Sequence, residues 1–183
     1  MAVTEVQLKE HIFRLVYVIR NAASYESLSK YQGSFTQNYW LLIQNNFFDF
    51  AILEWCKIFG TDSEPTHWKK IVDDPASFRT KLLARVKLNE TDWKDYWDNM
   101  IAYRNNLISH YQKDPNVKTY PDFDKAIEAS YYYYEYLIWK LRSSGNKEYP
   151  DNLKDYYDRY LEQAIRFSET AYSSTKDSKE KVY

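Results

Sequence analysis

The sequence predicts an all-α protein, a single-domain antiparallel helical bundle with a four-helix core and extra helices. The chain of 183 residues contains only 3 glycines, where average usage would give about 13. The turns of β-sandwiches and barrels depend on glycine, so these folds are excluded, and so are the glycine-rich phosphate loops of P-loop and Rossmann proteins. Aromatic residues make up 19% of the chain. They recur at helical spacing, which indicates packed helix faces.

Capping residues and helical periodicity predict where the helices begin and end. Thr4 and Gln7 form a capping box at the start of the first helix. Thr36 is the expected cap of the second helix, and Gly60 is expected to end it in the C′ position. Asp74, followed by a proline, begins the third helix. The predicted helices cover residues 4–31, 37–59, 75–87, 91–111, 121–143 and 151–173.

The predicted helices belong to one domain, residues 1–173. Residues 174–183 are polar and mixed in charge, and are expected to form a flexible tail. The second helix carries one broad apolar face, which the pattern assigns to the core together with the stripe of the first helix that includes Phe13. The face of the second helix consists of Tyr39, Leu42, Ile43, Asn46, Phe47, Phe50, Leu53 and Phe59.

Charge and targeting features indicate a cytoplasmic protein without a membrane anchor. The formal net charge is -1, so a nucleic acid would have to be bound locally. The most basic stretch spreads around its helix and forms no single stripe; it contains Arg79, Lys81, Arg85 and Lys87. No apolar run is long enough to cross a membrane, and no signal peptide is recognisable. Cys56, the only cysteine, lies in an apolar segment and is expected to be buried.

One residue interrupts the apolar face of the helix predicted over 91–111. At 100° per residue, Arg104 lies about 20° from Trp93, in the middle of the apolar stripe. A permanent cation there requires an ion pair or a cleft. One interpretation is a structural arginine, bonded to a carboxylate such as Asp49 or Glu54 or spanning a subunit interface. The other is a functional site.

The residues that follow Arg104 favour the functional interpretation. His110 lies six residues on, about 9 Å along the helix axis, and Asn105 and Asn106 lie between them. Arginine can hold phosphate oxygens and stabilise the charge of a phosphodiester-cleavage transition state. Histidine can act as general acid or base near neutral pH. This chemistry needs no metal and no cofactor. Since one histidine cannot easily be acid and base at once, a symmetric dimer would supply both.

The Arg104–His110 motif lies within YRNNLISHY (103–111), after the stretch NYWLLIQNNFFDFAILEWCKIFG (38–60). In these two stretches and in the order of its helices, the chain resembles the HEPN superfamily, whose motif is Arg-x4-6-His. The chain is most similar to HEPN proteins of bacterial abortive-infection and toxin–antitoxin systems. The resemblance implies a four-helix core, a homodimer with facing motifs, and a metal-independent endoribonuclease in phage defence. Arg104 and His110 would then be catalytic. Tyr111 follows the histidine directly, whereas many members have a tyrosine one position later.

The resemblance leaves the activity open, because some HEPN proteins are non-catalytic modules. We therefore keep three hypotheses. The first is a dimeric endoribonuclease that cleaves RNA and has a possible antitoxin or defence-system partner. In it, Asn105, Asn106, Tyr111 and Asp49 support catalysis or bind substrate. The second is a non-catalytic helical module that binds a protein or nucleotide partner. The third is a purely structural helical dimer.

Two other groups of residues have a structural and a functional interpretation. The tyrosines at 131–134 could stack on bases, but rings in such a run more often fill a core. The acidic residues early in the helix after residue 89 could suggest a metal site, but their position favours solvated charges that complement the helix dipole. These are Glu90, Asp92, Asp95 and Asp98. The sequence therefore predicts no metal site.

Overall fold

A computed structural model describes residues 3–31, 33–35, 37–109 and 121–178. These residues contain six α-helices and no strand, which confirms the all-α prediction. A 3₁₀ turn covers Trp68–Lys70, and a π-helical segment covers Arg104–Ser109. The α-helices are α1 (Glu5–Ser29), α2 (Asn38–Phe59), α3 (Pro75–Val86), α4 (Glu90–Tyr103), α5 (Asp124–Ser143) and α6 (Leu153–Thr175).

Side-chain caps mark two of the predicted helix starts. The capping box of Thr4 and Gln7 is complete, with both hydrogen bonds formed. Asp74 Oδ1 accepts a hydrogen bond of 3.0 Å from the Ser77 amide, and it begins α3 as predicted. Thr36 lies outside the described residues, and α2 begins at Asn38 without a side-chain cap.

Gly60 ends α2 as predicted, and the reason for glycine is a close approach of the backbone. Its φ is -75°, outside the left-handed region, and its amide donates to the Cys56 carbonyl at 2.9 Å. A Cβ at this position would lie 2.1 Å from the same oxygen. Any side chain at residue 60 would therefore displace the last turn of α2.

Helix α1 lies at the centre of the bundle. It contacts α2, α5 and α6, while α3 packs on α5, and α4 with the π-helical segment packs on α2. An ion pair of 3.1 Å joins Arg14 of α1 to Glu54 near the end of α2. None of the helices in the described residues has both the length and the apolar character that crossing a membrane requires.

The core-facing side of α2 differs from the prediction. Leu42 and Phe50 are 59% and 56% exposed, and Phe13 of α1 is 57% exposed, so their assignment to the core is wrong. Both sides of α2 are apolar, and periodicity alone does not select between them. The buried side packs into the core together with α1. It consists of Trp40, Gln44, Phe48, Ala51, Ile52, Trp55, Cys56, Ile58 and Phe59.

The tyrosine run of α5 fills the core, as its structural interpretation predicted. Tyr131, Tyr133 and Tyr134 are buried, because α5 is covered by α1, α3 and α6 on different sides. The Tyr133 hydroxyl lies 2.8 Å from His11 Nδ1, and the Tyr134 hydroxyl donates to a backbone carbonyl at 2.7 Å. These rings are therefore not free to stack on bases.

The end of α6 is held by the loop before α2. Helix α6 continues to Thr175, two residues into the segment expected as a tail. The buried Gln37 side chain donates from Nε2 to the carbonyls of Thr175, Lys176 and Ser178, at 3.0, 2.6 and 3.0 Å. These carbonyls at a helix end would otherwise need water or a cap. Gln37 is therefore the C-terminal cap of α6, and residues 179–183 lie outside the described part of the chain.

Candidate functional site around Arg104

The helix that carries Arg104 changes its hydrogen-bonding pattern at this residue. The sequence predicts one continuous helix over 91–111, but α4 ends at Tyr103 and a π-helical segment begins at Arg104. Arg104 itself keeps α-helical geometry, because its amide donates to the Met100 carbonyl, so its predicted position on the wheel stands. A π-helix bonds residue i to i+5, so the residues after Arg104 no longer follow the 100° spacing of the helical wheel. π-Helical turns are rare in proteins overall, and many of those that occur lie at functional sites.

His110 and Tyr111 lie outside the described residues. The approach of His110 to Arg104 therefore remains a prediction. The two asparagines after the arginine are described. Asn105 is exposed and Asn106 is half-buried.

The Arg104 side chain is largely shielded but loosely paired. It is 18% exposed, and its Nη1 lies 3.7 Å from Oε1 of Glu64, which is 33% exposed. Its Nε donates to Asn105 Oδ1 at 3.1 Å. Glu64 belongs to the loop after α2, and it was not predicted from the sequence. No spacing pattern connects residues 64 and 104, so only the folded chain reveals this pair.

Neither of the two carboxylates suggested as partners bonds Arg104 in the described part of the chain. Glu54 forms its ion pairs with Arg14 and Lys57. Asp49 accepts a hydrogen bond of 2.8 Å from the Tyr103 hydroxyl. Burial raises the pKa of the Asp49 carboxyl, and the Tyr103 hydrogen bond opposes this rise. Asp49 thus contacts the residue before Arg104.

The positive charge of Arg104 acts on the thiol of Cys56. Burial raises the pKa of the Cys56 thiol to about 12, and the positive charge of Arg104 opposes the rise only in part. The thiol is therefore protonated at neutral pH and cannot act as a nucleophile. This agrees with the expected role of Cys56 as a buried, small apolar residue.

The other two histidines are buried and neutral. His11 and His67 are both 2% exposed, and burial lowers the pKa of each to about 4. His67 Nδ1 accepts from the Lys69 amide at 3.3 Å, while its Nε2 lies 3.4 Å from Asp62 Oδ1. This arrangement, in which His67 lines a cleft of about 230 Å³, was not predicted from the sequence.

Arg79, Arg85 and Glu90 are among the charged residues singled out in the sequence, and each of them forms an ion pair. Arg79 bonds Glu90 at 2.8 Å, and Arg85 bonds Glu128 and Glu135 of α5 at 3.2 and 3.3 Å. In the described part of the chain, no three His, Cys, Asp or Glu side chains come together in a way that could hold a metal ion.

The described geometry thus brings Arg104, Asn105 and Glu64 into contact, and it connects Asp49 to them through Tyr103. The arrangement provides a shielded guanidinium with a loosely held counter-charge, next to the exposed amide of Asn105. Such a group can bind an anion. Comparisons of the chain with known protein families, with curated proteins and with solved structures find no match.

Proposed function

We propose that this protein is a metal-independent endoribonuclease of HEPN type. It acts as a cytoplasmic homodimer in a phage-defence or toxin–antitoxin setting. Arg104 binds the phosphate and stabilises the charge that develops on it, and His110 is the general acid or base for attack by the 2′-hydroxyl. The observation that carries the proposal is the Arg104 guanidinium, shielded at the start of a π-helical segment and only loosely paired.

The geometry of the ion pair supports a role in anion binding. A charge-assisted hydrogen bond from arginine to a carboxylate is about 2.7–2.9 Å long, whereas the Arg104–Glu64 distance is 3.7 Å. Glu64 therefore balances the charge without saturating the guanidinium donors. A phosphate that offers two oxygens at hydrogen-bond distance would be the stronger partner.

An exposed apolar surface supports the homodimer. We define the apolar surface as Phe13, Tyr17 and Phe50: the rings of Phe13 and Tyr17 lie 4.6 Å apart, and Tyr17 and Phe50 line the same cavity. Its three rings are 57%, 41% and 56% exposed, which leaves about 300 Å² of ring area in solvent at about 200 Å² per ring. Apolar patches of this size on a monomer are often functional.

The test is cleavage of labelled single-stranded RNA in the presence of a chelator. We expect wild-type protein to cleave, and Arg104→Ala and His110→Ala to lose at least about 100-fold in rate, the usual contribution of one acid–base group. Arg159→Ala, an exposed arginine of α6, is the control and should cleave at the wild-type rate. Wild-type protein that cleaves no RNA over a broad substrate panel would refute the proposal.

The alternative is a non-catalytic HEPN-like module that binds a protein or nucleotide partner. The Arg104–Glu64 pair and the apolar surface favour it, because both also suit a structural ion pair beside a docking surface. In that case Arg104→Ala should mainly lower the melting temperature. His110→Ala should then leave the protein's biological effect unchanged.

A further inference from the structure

A cluster of positive charge, separate from Arg104, lies next to the loop that holds Glu64. We define the cationic cleft by Asp62, His67, Lys69, Arg79, Lys94 and Trp97, which line the cavity of about 230 Å³. Its three cations come from three different elements: the 3₁₀ turn, α3 and α4. A single charged helix face would not produce this convergence. It arises only when the elements pack together.

Tryptophan rings hold the cations at the cleft. Lys69 lies 5.9 Å from the Trp68 ring, Arg79 lies 5.2 Å from the Trp93 ring, and Lys94 lies 5.5 Å from the Trp97 ring. Trp68 and Trp93 are buried, so they form fixed walls. These cation–π contacts draw the charged groups toward the cavity. Each cation also donates to a carboxylate: Lys69 to Asp62, Arg79 to Glu90 and Lys94 to Asp98.

The cations of the cleft are paired with exposed carboxylates. Among the described residues that line the cavity, three are cations and one, Asp62, is a carboxylate, which pairs with Lys69 at 2.7 Å. The counter-ions of Arg79 and Lys94 are Glu90 and Asp98, which pair with them from outside the cavity. These carboxylates are at least half exposed, and surface ion pairs of this kind contribute little to stability. An incoming anion can therefore displace them at small cost.

One N–H group at the cleft has no acceptor among the described residues, and the acceptor of another, His67 Nε2, lies 3.4 Å away on Asp62. The Arg79 Nε is buried and has no hydrogen-bond partner among the described residues. His67 accepts a hydrogen bond at Nδ1, so in its neutral form the proton is on Nε2. A phosphate oxygen at the position of the Asp62 carboxylate would accept that proton's hydrogen bond.

The size of the cleft limits what it can bind. Sites for drug-sized ligands usually have about 300–1,000 Å³, so a cavity of about 230 Å³ is too small for a dinucleotide cofactor. It suits one phosphate group with part of its sugar. Arginine and lysine are the residues that bind phosphate oxygens most readily.

We propose that the cationic cleft binds a phosphate group of a nucleotide chain. The loop of residues 61–67 connects it to the candidate site, since Glu64 pairs with Arg104 while Asp62 and His67 line the cleft. A single RNA strand can follow this loop and contact both. The identification of the phosphate carrier as RNA rests on the proposed function. The affinity of the cleft for phosphate is independent of that function.

The test measures binding by the full-length protein at several salt concentrations. The probes are inorganic phosphate, uridine monophosphate, and a ten-nucleotide strand with 2′-O-methyl groups, which resists cleavage by 2′-hydroxyl attack. The variant is Lys69→Ala with Lys94→Ala. The matched control is Lys154→Ala, because Lys154 pairs with Asp158 four residues on, as Lys94 pairs with Asp98, but outside the cleft.

For the strand, we expect the double variant to bind about 10-fold more weakly than wild-type protein. Its slope of log affinity against log salt should become shallower by about 0.7 for each phosphate that the variant no longer neutralises. Lys154→Ala should match wild-type protein. Lys94→Gln, at a lysine that is 64% exposed, is the second variant should the double variant fold poorly, and it should show a smaller effect in the same direction.

The outcomes separate this proposal from the nuclease. Equal affinity and equal salt slope in wild-type protein and both cleft variants would overturn it, as would a wild-type protein that binds none of the three probes. Loss of binding in the variants, with wild-type protein that cleaves no natural RNA, would support the cleft and refute the nuclease. If the cleft variants weaken binding of phosphate or uridine monophosphate but not of the strand, the cleft is a site for free nucleotides and not for a nucleotide chain.

Discussion

Replacing Glu64 by glutamine tests whether Arg104 is held for structure or available for a ligand. The substitution removes the only charge that pairs with Arg104 among the described residues and keeps the size of the side chain. At an effective dielectric constant of about 20, two charges about 4 Å apart attract by about 4 kcal/mol before desolvation is counted. The pair is partly exposed and its distance of 3.7 Å exceeds a good hydrogen bond, so desolvation and screening cancel most of this attraction. We expect a net contribution of about 1 kcal/mol.

The assay is a double-mutant cycle of Glu64→Gln and Arg104→Met, in which the stability of each protein is measured by thermal unfolding. For a chain of this length, about 1 kcal/mol corresponds to a melting-temperature change of about 2–4 °C. Glu64→Gln should also strengthen binding of the uncleavable RNA strand several-fold, because the competing carboxylate is gone. Glu162→Gln makes the same change in net charge at an exposed position of α6, and it should alter neither quantity.

A large coupling energy would refute this reasoning. Breaking a fully buried ion pair costs about 3–5 kcal/mol. If the cycle gives a value in that range and Glu64→Gln leaves RNA affinity unchanged, Arg104 is a structural residue and the carboxylate is its required partner.

Three further predictions concern stability. Gln37→Ala should cost about 1 kcal/mol, because the partly buried hydrogen bonds to the carbonyls at the end of α6 are lost. Hydrogen exchange there should accelerate, and unchanged exchange would contradict the capping role. Gly60→Ala should cost about 3 kcal/mol or more, since its Cβ would overlap a carbonyl oxygen. Gly33→Ala, at φ +83° in open space, should cost only about 1–2 kcal/mol. Equal destabilisation of the two variants in urea unfolding would argue against the close approach at residue 60. The pKa of His11 and of His67 is about 4 in the folded protein and about 6.5 when unfolded. The unfolded chain therefore binds protons first, and we expect stability to fall as pH drops below about 6.5, by about 2 kcal/mol per histidine at pH 5. Equal denaturation midpoints at pH 7 and pH 5 would contradict this prediction.

The fold was predictable because its signals are local. Caps such as Thr4 and Asp74 determine a helix start from residues three positions away, and the scarcity of glycine excludes folds rich in tight turns. The core-facing side of α2 was not predictable in the same way. Both of its sides are apolar, and the choice depends on which one fits against α1.

The candidate site was predictable only in part. Arg104 stands out in the sequence because a cation interrupts an apolar stripe, and the structure gives it a shielded position with a carboxylate partner. Its partner Glu64 lies forty residues away, and the change to π-helical geometry at residue 104 has no sequence signature that we recognise. The cationic cleft was equally invisible, because its charges come from three separate segments.

The sequence alone therefore determined that the chain is helical, where most helices begin, and which arginine requires an explanation. These properties depend on residues within one or two helical turns of each other. The tertiary structure decided which side of α2 is buried, which carboxylate balances Arg104, and that Lys69, Arg79 and Lys94 share one cavity. Those properties depend on contacts between distant segments, whose geometry is established only when the helices pack together.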